Sequence, residues 1–236
     1  QAQEPSDREF AEIMNDLASA DWIKNNWLMS LTETVYDSQF YGTGLSSLLY
    51  DDTKRPMEGD IDMASCDPYT FYPDPNAVDV NKKAKYCLKV EPVDIDVIKD
   101  EYPELGRFVK SDIVDAIRGE RTELEPAFQL RLPIDETKSL RDSAGSVEGL
   151  LDKKCLKKTL YMLSSEKVDE PQLDAMGVQV GSVKRLKYPN GRMIVIAGGV
   201  VLEDGPMKYD DGKFPYSKLI NYCLPREFWG MSEIEQ

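Results

Sequence analysis

At the start of the chain, apolar residues recur with the spacing of an α-helix, and they do so over two successive stretches. Ser6 and Glu9 have the spacing of a capping box, which predicts that a helix begins there. Two glycines, Gly42 and Gly44, predict its end, because Gly tolerates the left-handed conformation of a helix stop. The apolar residues between them recur every three or four positions and are predicted to be buried core positions. They are Phe10, Ile13, Met14 and Leu17, followed by Ile23, Trp27, Leu31 and Val35.

The helical period is lost in the middle of the chain. Residues 45–93 are short apolar runs between turn residues such as Pro73-Asp74-Pro75-Asn76, which indicates a β-rich region. Residues 94–102 and 111–118 have the pattern of short helices. Residues 133–152 are polar and rich in turn residues. This polar stretch predicts a boundary between two parts of the chain.

A β-meander is predicted after that boundary. Residues 183–188 and 193–197 flank Asn190-Gly191, a pair that favours the type I′ turn of a hairpin. A Gly-Gly turn then leads into residues 200–202, and residues 155–163 alternate well enough to join the same antiparallel sheet. Helices combined with antiparallel strands predict an α+β fold.

A second capping box is predicted close to the end of the sequence. Ser232 is followed three residues later by Glu235, so the chain has the signal for a helix start at this point. The first residue is Gln1 rather than Met, and the sequence stops at Gln236, just after this signal. We therefore expect the sequence to be part of a longer gene product.

The composition is that of an ordinary soluble protein. Of the 236 residues, 41% are hydrophobic and 31% are charged, and the length suffices for one large or two small domains. No apolar run approaches the roughly 18 residues of a membrane span, and no secretory signal is visible, so no membrane partner is predicted.

The formal net charge of −14 argues against a surface that wraps nucleic acid broadly. The charge is unevenly distributed. Residues 1–52 contain ten acids and two bases, whereas residues 153–192 contain nine bases and four acids. Each block is interpreted first as a solvated face.

The candidate chemistry is limited by the absence of histidine. Without His, the Ser-His-Asp and Cys-His mechanisms are excluded, and the commonest metal ligand is missing. The four cysteines contain no Cys-x-x-Cys pair, so neither a zinc knuckle nor a redox motif is indicated, and reduced, partly buried thiols are expected. They are Cys66, Cys87, Cys155 and Cys223. No catalytic residue, cofactor or metal is predicted.

Carboxylates are the remaining candidates for a metal or catalytic site. Five of them lie within a short stretch, but their spacing fits no calcium loop, and Asp beside Pro or Asn is ordinary turn chemistry. These are Asp60, Asp62, Asp67, Asp74 and Asp79. The pairs Asp51-Asp52 and Asp210-Asp211 could supply an acid and a base, although surface turns are the preferred interpretation.

The basic residues on the predicted hairpin are the candidates for a contact with DNA or with an acidic partner. They are Lys184, Arg185, Lys187 and Arg192, and the neighbouring predicted strand contributes Lys153, Lys154, Lys157 and Lys158. Neighbouring residues on a strand point to opposite faces, so only part of this set could meet one ligand.

Several motifs resemble, in order along the chain, those of podovirus-type (P22-like) phage portal proteins. The front half has Tyr41-Gly42-Thr43-Gly44, Gly59-Asp60-Ile61 and a run from Pro68 to Ala77 that contains Asp74 and Pro75. The later half has Tyr188-Pro189-Asn190-Gly191-Arg192, the strand from Gly199 to Leu202, Lys213-Phe214-Pro215, and a run from Pro225 to Glu235 that contains Trp229 and Gly230. The matches span residues 20–236.

The resemblance implies a non-enzymatic structural protein that forms a ring, usually of twelve subunits, at one capsid vertex of the virion. Such a ring conducts double-stranded DNA during packaging and ejection. Its partners would be the capsid protein, the terminase large subunit and the tail adaptor proteins, and it would be assembled in the cytoplasm of the host bacterium. Residues 1–145 would be a wing-like region, residues 146–225 a clip-like region, and residues 226–236 the start of a stem helix.

Three alternatives remain open from the sequence. A different capsid or tail connector protein would share the assembly role but lack the stem helix. A carboxylate-dependent hydrolase would use the acidic residues for chemistry. A plain acidic interaction domain would form no ring.

Overall fold

The computed structural model of the protein describes residues 5–51, 59–112, 153–173 and 179–236. The helices are α1 (Pro5–Lys24), α2 (Trp27–Tyr41) and α3 (Ile95–Glu101). The strands are β1 (Thr43–Asp51), β2 (Asp60–Cys66), β3 (Phe71–Pro73), β4 (Tyr86–Asp94), β5 (Lys154–Met162), β6 (Lys167–Leu173), β7 (Gln179–Leu186), β8 (Arg192–Ala197), β9 (Val200–Pro206) and β10 (Tyr216–Ile220). Helices and antiparallel strands are combined, so the predicted α+β class is confirmed.

The chain forms two compact units that are interleaved along the sequence. The first unit contains residues 1–68, 78–82 and 215–236, and the second contains residues 69–77 and 83–214. The predicted helix at 111–118 and the polar stretch at 133–152 lie outside the described residues, apart from Ser111 and Asp112.

In the first unit, α2 packs on a three-stranded antiparallel sheet with the order β10-β1-β2. Leu45 and Cys66 are fully buried between these elements, and they face each other across β1 and β2. The buried positions of α2 are small and polar, Thr34 and Ser38. The Thr34 hydroxyl donates to the carbonyl oxygen of Ser30 at 2.9 Å, so the helix satisfies this polar group itself and can lie close to the strands.

The prediction that the apolar face of α1 is buried is wrong. Phe10, Ile13, Met14 and Leu17 are between 47% and 65% exposed, and Ile23 is 80% exposed. Among the described residues of α1, only Asp21 is buried; Lys24, at the end of the helix, forms a 2.7 Å ion pair with Asp60. Helical periodicity identifies a face that favours burial, but it does not identify what covers the face.

The second predicted stretch has a mixed outcome in α2. Trp27 and Leu31 are half-buried, whereas Val35 is exposed. The indole Nε1 of Trp27 is buried, and none of the described residues forms a hydrogen bond with it. The prediction of a buried face is thus wrong for Val35 as well.

The second unit is built on a five-stranded antiparallel sheet with the order β3-β4-β5-β8-β9. Its inner face buries Cys87, Cys155, Met193 and Val195. Residues 155–163 were predicted to join the meander, and the pairing of β5 with β8 confirms it. The short helix predicted at 94–102 is also confirmed, as α3.

The predicted hairpin around Asn190-Gly191 is wrong. Strand β7 pairs with β6 in a separate two-stranded sheet, and β8 pairs with β5 and β9. Of the two turn residues only Gly191 has a positive φ, whereas a type I′ turn requires both. The predicted Gly-Gly turn is confirmed, since Gly198 and Gly199, with φ values of 52° and 79°, join β8 to β9.

Candidate assembly site

Glycines from the two ends of the sequence meet at one point of the first unit. Gly42 ends α2 in the left-handed conformation, with φ 79°, and Gly230 lies directly against it. A Cβ on Gly42 would be 2.2 Å from the carbonyl oxygen of Gly230, and a Cβ on Gly230 would be 2.4 Å from that of Gly42. No side chain fits between two backbones this close. We call this contact the glycine crossing.

Hydrogen bonds hold the last segment of the chain at the glycine crossing. The Gly230 amide donates to the Thr43 hydroxyl at 2.7 Å. The Glu233 amide donates to the Gln39 carbonyl at 2.9 Å, so the segment is bound to the last turn of α2 on the other side. The end of the described chain is therefore fixed to both α2 and β1.

The predicted capping box at Ser232 is formed. The Ser232 amide donates to the Glu235 carboxylate at 3.1 Å, and the Glu235 amide donates to the Ser232 hydroxyl at 3.2 Å. These reciprocal bonds satisfy two backbone donors in the way that a helix start requires. The Ser232 side chain is buried beside the glycine crossing, so the geometry of a helix start is built into the same site.

Gly44 allows a second close approach of backbones in the same unit. A Cβ at this position would be 2.0 Å from the carbonyl oxygen of Thr34 in α2. Strand β1 can therefore lie against α2 only where it has no side chain. Both glycines of the Tyr41-Gly42-Thr43-Gly44 motif are thus needed for close packing of backbones.

Lys218 is a site residue that the sequence did not reveal. Its ammonium donates to the carbonyl oxygens of Val78 at 2.5 Å and of Phe228 at 3.0 Å, and it lies 4.2 Å from the centre of the Phe228 ring. Burial lowers the pKa of Lys218. A lysine on an alternating strand gives no signal of such a role, because its carbonyl partners have no sequence signature.

Phe228 and Trp229 differ in their exposure. Phe228 is buried, and Trp229 stands edge-on against it, with 4.9 Å between the ring centres and 37% of its surface exposed. Pro225, which begins this segment, is exposed. The site therefore presents one aromatic ring at the protein surface.

Asp74 and Pro75 are in the second unit and do not join this site. The Asp74 side chain is 3% exposed and accepts hydrogen bonds from the amides of Asn76 at 2.9 Å and Lys85 at 3.1 Å. These bonds hold the pKa of Asp74 below its ordinary value. Asp74 thus closes the turn that contains Pro75 and Asn76, and it binds the residue just before β4.

The other acidic residues of that region also have local structural roles. Asp60 pairs with Lys24, and Asp79 accepts from the Val80 amide at 2.8 Å. No group of three or more His, Cys, Asp or Glu side chains is placed to hold a metal ion in the described ranges. Asp74 and Asp79 thus accept hydrogen bonds from nearby backbone amides, as turn residues do, and Asp60 forms an ion pair.

The structure brings two of the four candidate basic residues, Lys187 and Arg192, together. Lys187 forms a 3.1 Å ion pair with Glu166, and Arg192 forms two 2.7 Å hydrogen bonds with Asp204. Both basic side chains lie over the ring of Tyr188, with the Lys187 ammonium 5.2 Å and the Arg192 guanidinium carbon 5.5 Å from the ring centre. Lys184 and Arg185 are exposed on β7. A shared contact of all four with DNA remains a prediction.

Comparison with known proteins identifies the family. The family model of the phage P22-like portal protein matches residues 1–230. The chain belongs to this portal family. The match includes the glycine crossing and most of both units. A search of curated proteins gave no match.

The portal family is a family of structural proteins of the phage virion, at a vertex of the capsid. Among the described residues of this portal-family chain, no helix has the length and apolar character needed to cross a membrane. The motif residues Gly42, Gly44 and Gly230 act through backbone packing, and Trp229 is exposed beside them.

Proposed function

We propose that this portal-family chain is a subunit of a ring of about twelve copies that conducts double-stranded DNA into and out of the capsid. The observation that carries the proposal is the family match over residues 1–230. The proposal includes docking of the terminase large subunit and later of the tail adaptor proteins, contact with the capsid protein, and no enzymatic activity of the chain itself.

The glycine crossing supports this function because it fixes a helix start on a rigid support. A stem helix that continues from Ser232 would leave the first unit in a defined direction, since its capping box is bound to α2 and β1. The regions proposed from the sequence are wing-like for residues 1–145, clip-like for residues 146–225 and stem for residues 226–236.

The charge of the chain supports the conduit role. A net charge of −14 repels phosphate, so DNA can slide past such a surface without strong attachment. Lys187 and Arg192 form ion pairs with Glu166 and Asp204, and Lys184 and Arg185, which are exposed on β7, complete the proposed DNA or partner contact.

Electron microscopy of the full-length gene product tests the proposal. Rings of about a dozen subunits with a central channel are expected. A uniform monomer or dimer at all protein and salt concentrations would contradict the ring and favour an interaction domain. A connector without a stem would give rings but no long helix after Ser232.

A further inference from the structure

Strands β6 and β7 pair only with each other in the part of the chain that the structure describes, and we call this pair of strands the β6–β7 ribbon. Neither strand packs extensively on another described helix or strand. A two-stranded ribbon on its own is marginally stable in water, and a third strand or a packed face is needed to stabilise it. The β6–β7 ribbon would therefore gain stability from a strand that joined one of its edges.

A backbone hydrogen bond at the base of the β6–β7 ribbon determines which groups of β7 point outward. The Lys187 amide donates to the Glu166 carbonyl oxygen at 2.9 Å, so the backbone groups of these two residues point towards each other. Inward and outward pairs alternate along an antiparallel ladder. The next pair, Lys167 and Leu186, keeps the same register and thus points outward. Leu186, and Lys184 two positions before it, therefore turn their N–H and C=O groups to the outer edge of β7.

Proline blocks the opposite edge of the ribbon. Along β6, the outward positions are every second residue, and Lys167, Asp169 and Pro171 occupy them in an unbroken register. Proline has no N–H, and proteins place it on edge strands, where it hinders the pairing of a further strand. A new strand can therefore join the ribbon more readily at β7 than at β6.

The end of β7 is also basic. Its exposed basic residues, with the one that follows the strand, are Lys184, Arg185 and Lys187. On the β6 side, Asp169 is in register with Lys184 and Glu166 forms a 3.1 Å ion pair with Lys187, whereas the residue opposite Arg185 is uncharged. Opposite charges on neighbouring strands stabilise a sheet. A strand with acidic side chains on the outer side of β7 would extend this pairing and offset the charge of Arg185.

We propose that the outer edge of β7 binds an extended acidic segment of a partner protein, which joins the β6–β7 ribbon as a third strand. The backbone groups of Leu186 and Lys184 supply the hydrogen bonds, and Arg185 favours acidic side chains in the incoming strand. The inference rests on the proposed docking of partner proteins and specifies the chemistry of one of them. A DNA duplex has no row of backbone amides and carbonyls to pair with a strand, so the edge favours a protein segment over DNA.

The first experiment measures the binding of a dye-labelled peptide to the full-length protein by fluorescence anisotropy. The peptide alternates Val and Glu and is as long as β7, 8 residues. Leu186→Pro removes an outward N–H from β7, and Lys167→Pro is the matched control, because it removes an outward N–H from β6. Leu186→Pro should weaken binding at least about fivefold, which corresponds to the loss of about one hydrogen bond, whereas Lys167→Pro should leave binding unchanged. Circular dichroism checks that both variants keep the native strand content.

A modified peptide tests the same hydrogen bonds without any change in the protein. N-methylation of two neighbouring central residues removes a donor from each edge of the peptide, so the peptide cannot pair fully in either orientation. The methylated peptide should bind the wild-type protein at least about fivefold more weakly than the unmodified one. This measurement decides the matter even if Leu186→Pro unfolds the ribbon.

A charge reversal tests the preference for acidic side chains. Arg185→Glu should weaken binding of the Val–Glu peptide by about twofold to fivefold, the effect of one cross-strand charge pair. The same variant should bind a peptide of alternating Val and Lys more tightly than the wild-type protein does. Opposite changes for the two peptides cannot result from misfolding.

The outcomes separate this inference from the proposed function. If the wild-type protein forms rings but does not bind the Val–Glu peptide, or binds the methylated peptide equally well, this inference is wrong and the ring proposal stands. Binding of double-stranded DNA that Arg185→Glu weakens, without binding of the peptide, would identify the basic residues as a DNA contact and overturn the inference in favour of DNA. If the peptide binds as expected but no rings form, the edge of β7 is a docking site and the ring proposal fails.

Discussion

Replacing Gly230 by Ala should destabilise the first unit by about 3 kcal/mol. The new Cβ would be 2.4 Å from the Gly42 carbonyl oxygen and 2.5 Å from the Ile220 Cγ2. The first of these is a backbone atom that cannot rotate away. Overpacking of this kind costs typically about 1–3 kcal/mol. Moving the segment away would also break the 2.7 Å bond from the Gly230 amide to Thr43, worth about 1 kcal/mol.

Three further Gly→Ala variants separate crowding from backbone conformation. Gly42→Ala combines a 2.2 Å backbone contact with a φ of 79°, so it should cost about 1–2 kcal/mol more than Gly230→Ala. Gly199 has the same φ of 79°, but a Cβ there would have nothing within 4 Å. Gly199→Ala should therefore lower the free energy of unfolding only by the cost of the left-handed conformation. Gly205 has neither feature, and Gly205→Ala should change stability by less than about 1 kcal/mol.

Urea unfolding measures these differences. Far-UV circular dichroism reports the whole chain, and tryptophan fluorescence reports the first unit, because Trp22, Trp27 and Trp229 all lie there. With a slope of about 2 kcal/mol per molar urea, a loss of 3 kcal/mol lowers the midpoint by about 1.5 M. If Gly230→Ala had the same midpoint as the wild type, the glycine crossing would not be tightly packed, and its proposed role as a rigid support would be refuted.

Three other predictions concern titratable groups. A thiol reagent should modify one cysteine per native chain, Cys223, because the other three are buried and burial raises the pKa of Cys155 to about 11. Asp74→Asn should lower the free energy of unfolding at neutral pH. Below neutral pH, the free energy of unfolding of this variant should fall less steeply than that of the wild type. The pKa of Asp74 is lowered by folding, so its contribution is present above the unfolded pKa of about 3.9 and disappears as pH falls through the folded pKa. Burial raises the pKa of Tyr102 above its usual value of about 10. The folded state should therefore lose stability as the pH rises above about 10, and this loss should be smaller in Tyr102→Phe.

Controls for these predictions come from the same chain. Four cysteines should react after denaturation, and rapid modification of more than one in the native protein would contradict the burial of the others. An unchanged acid unfolding curve for Asp74→Asn would show that the bonds from Asn76 and Lys85 contribute nothing. Tyr36 is exposed, so Tyr36→Phe is the control for Tyr102→Phe and should leave the alkaline transition unchanged.

Local signals in the sequence predicted local structure well. The alternation of residues 155–163 predicted β5, the spacing of Ser232 and Glu235 predicted a capping box, and Asp74 beside two prolines predicted a structural turn. Each of these depends on neighbours in the sequence. The hairpin at Asn190-Gly191 was wrong because alternation predicts a strand but does not choose its partner.

The candidate site depends on contacts that sequence patterns do not encode. Gly42 and Gly230 were recognised as family motifs, but glycine has no side chain whose chemistry could indicate that the two meet. The partners of Lys218 are carbonyl groups, which every residue has. The exposure of α1 was missed for a related reason, since an apolar face has the same periodicity whether it packs within its own chain or against another.

The pairing of β1 with β10 has a consequence for the order of folding during synthesis. Strand β1 leaves the ribosome early, whereas β10, which completes its sheet, and the segment that makes the glycine crossing are among the last residues described. The whole second unit is translated in between, and contacts between such distant residues form slowly. The first unit therefore stays open, with one edge of β1 unpaired, until translation has passed β10. Until then, the unpaired edge of β1 presents backbone N–H and C=O groups with which a strand of another chain can pair.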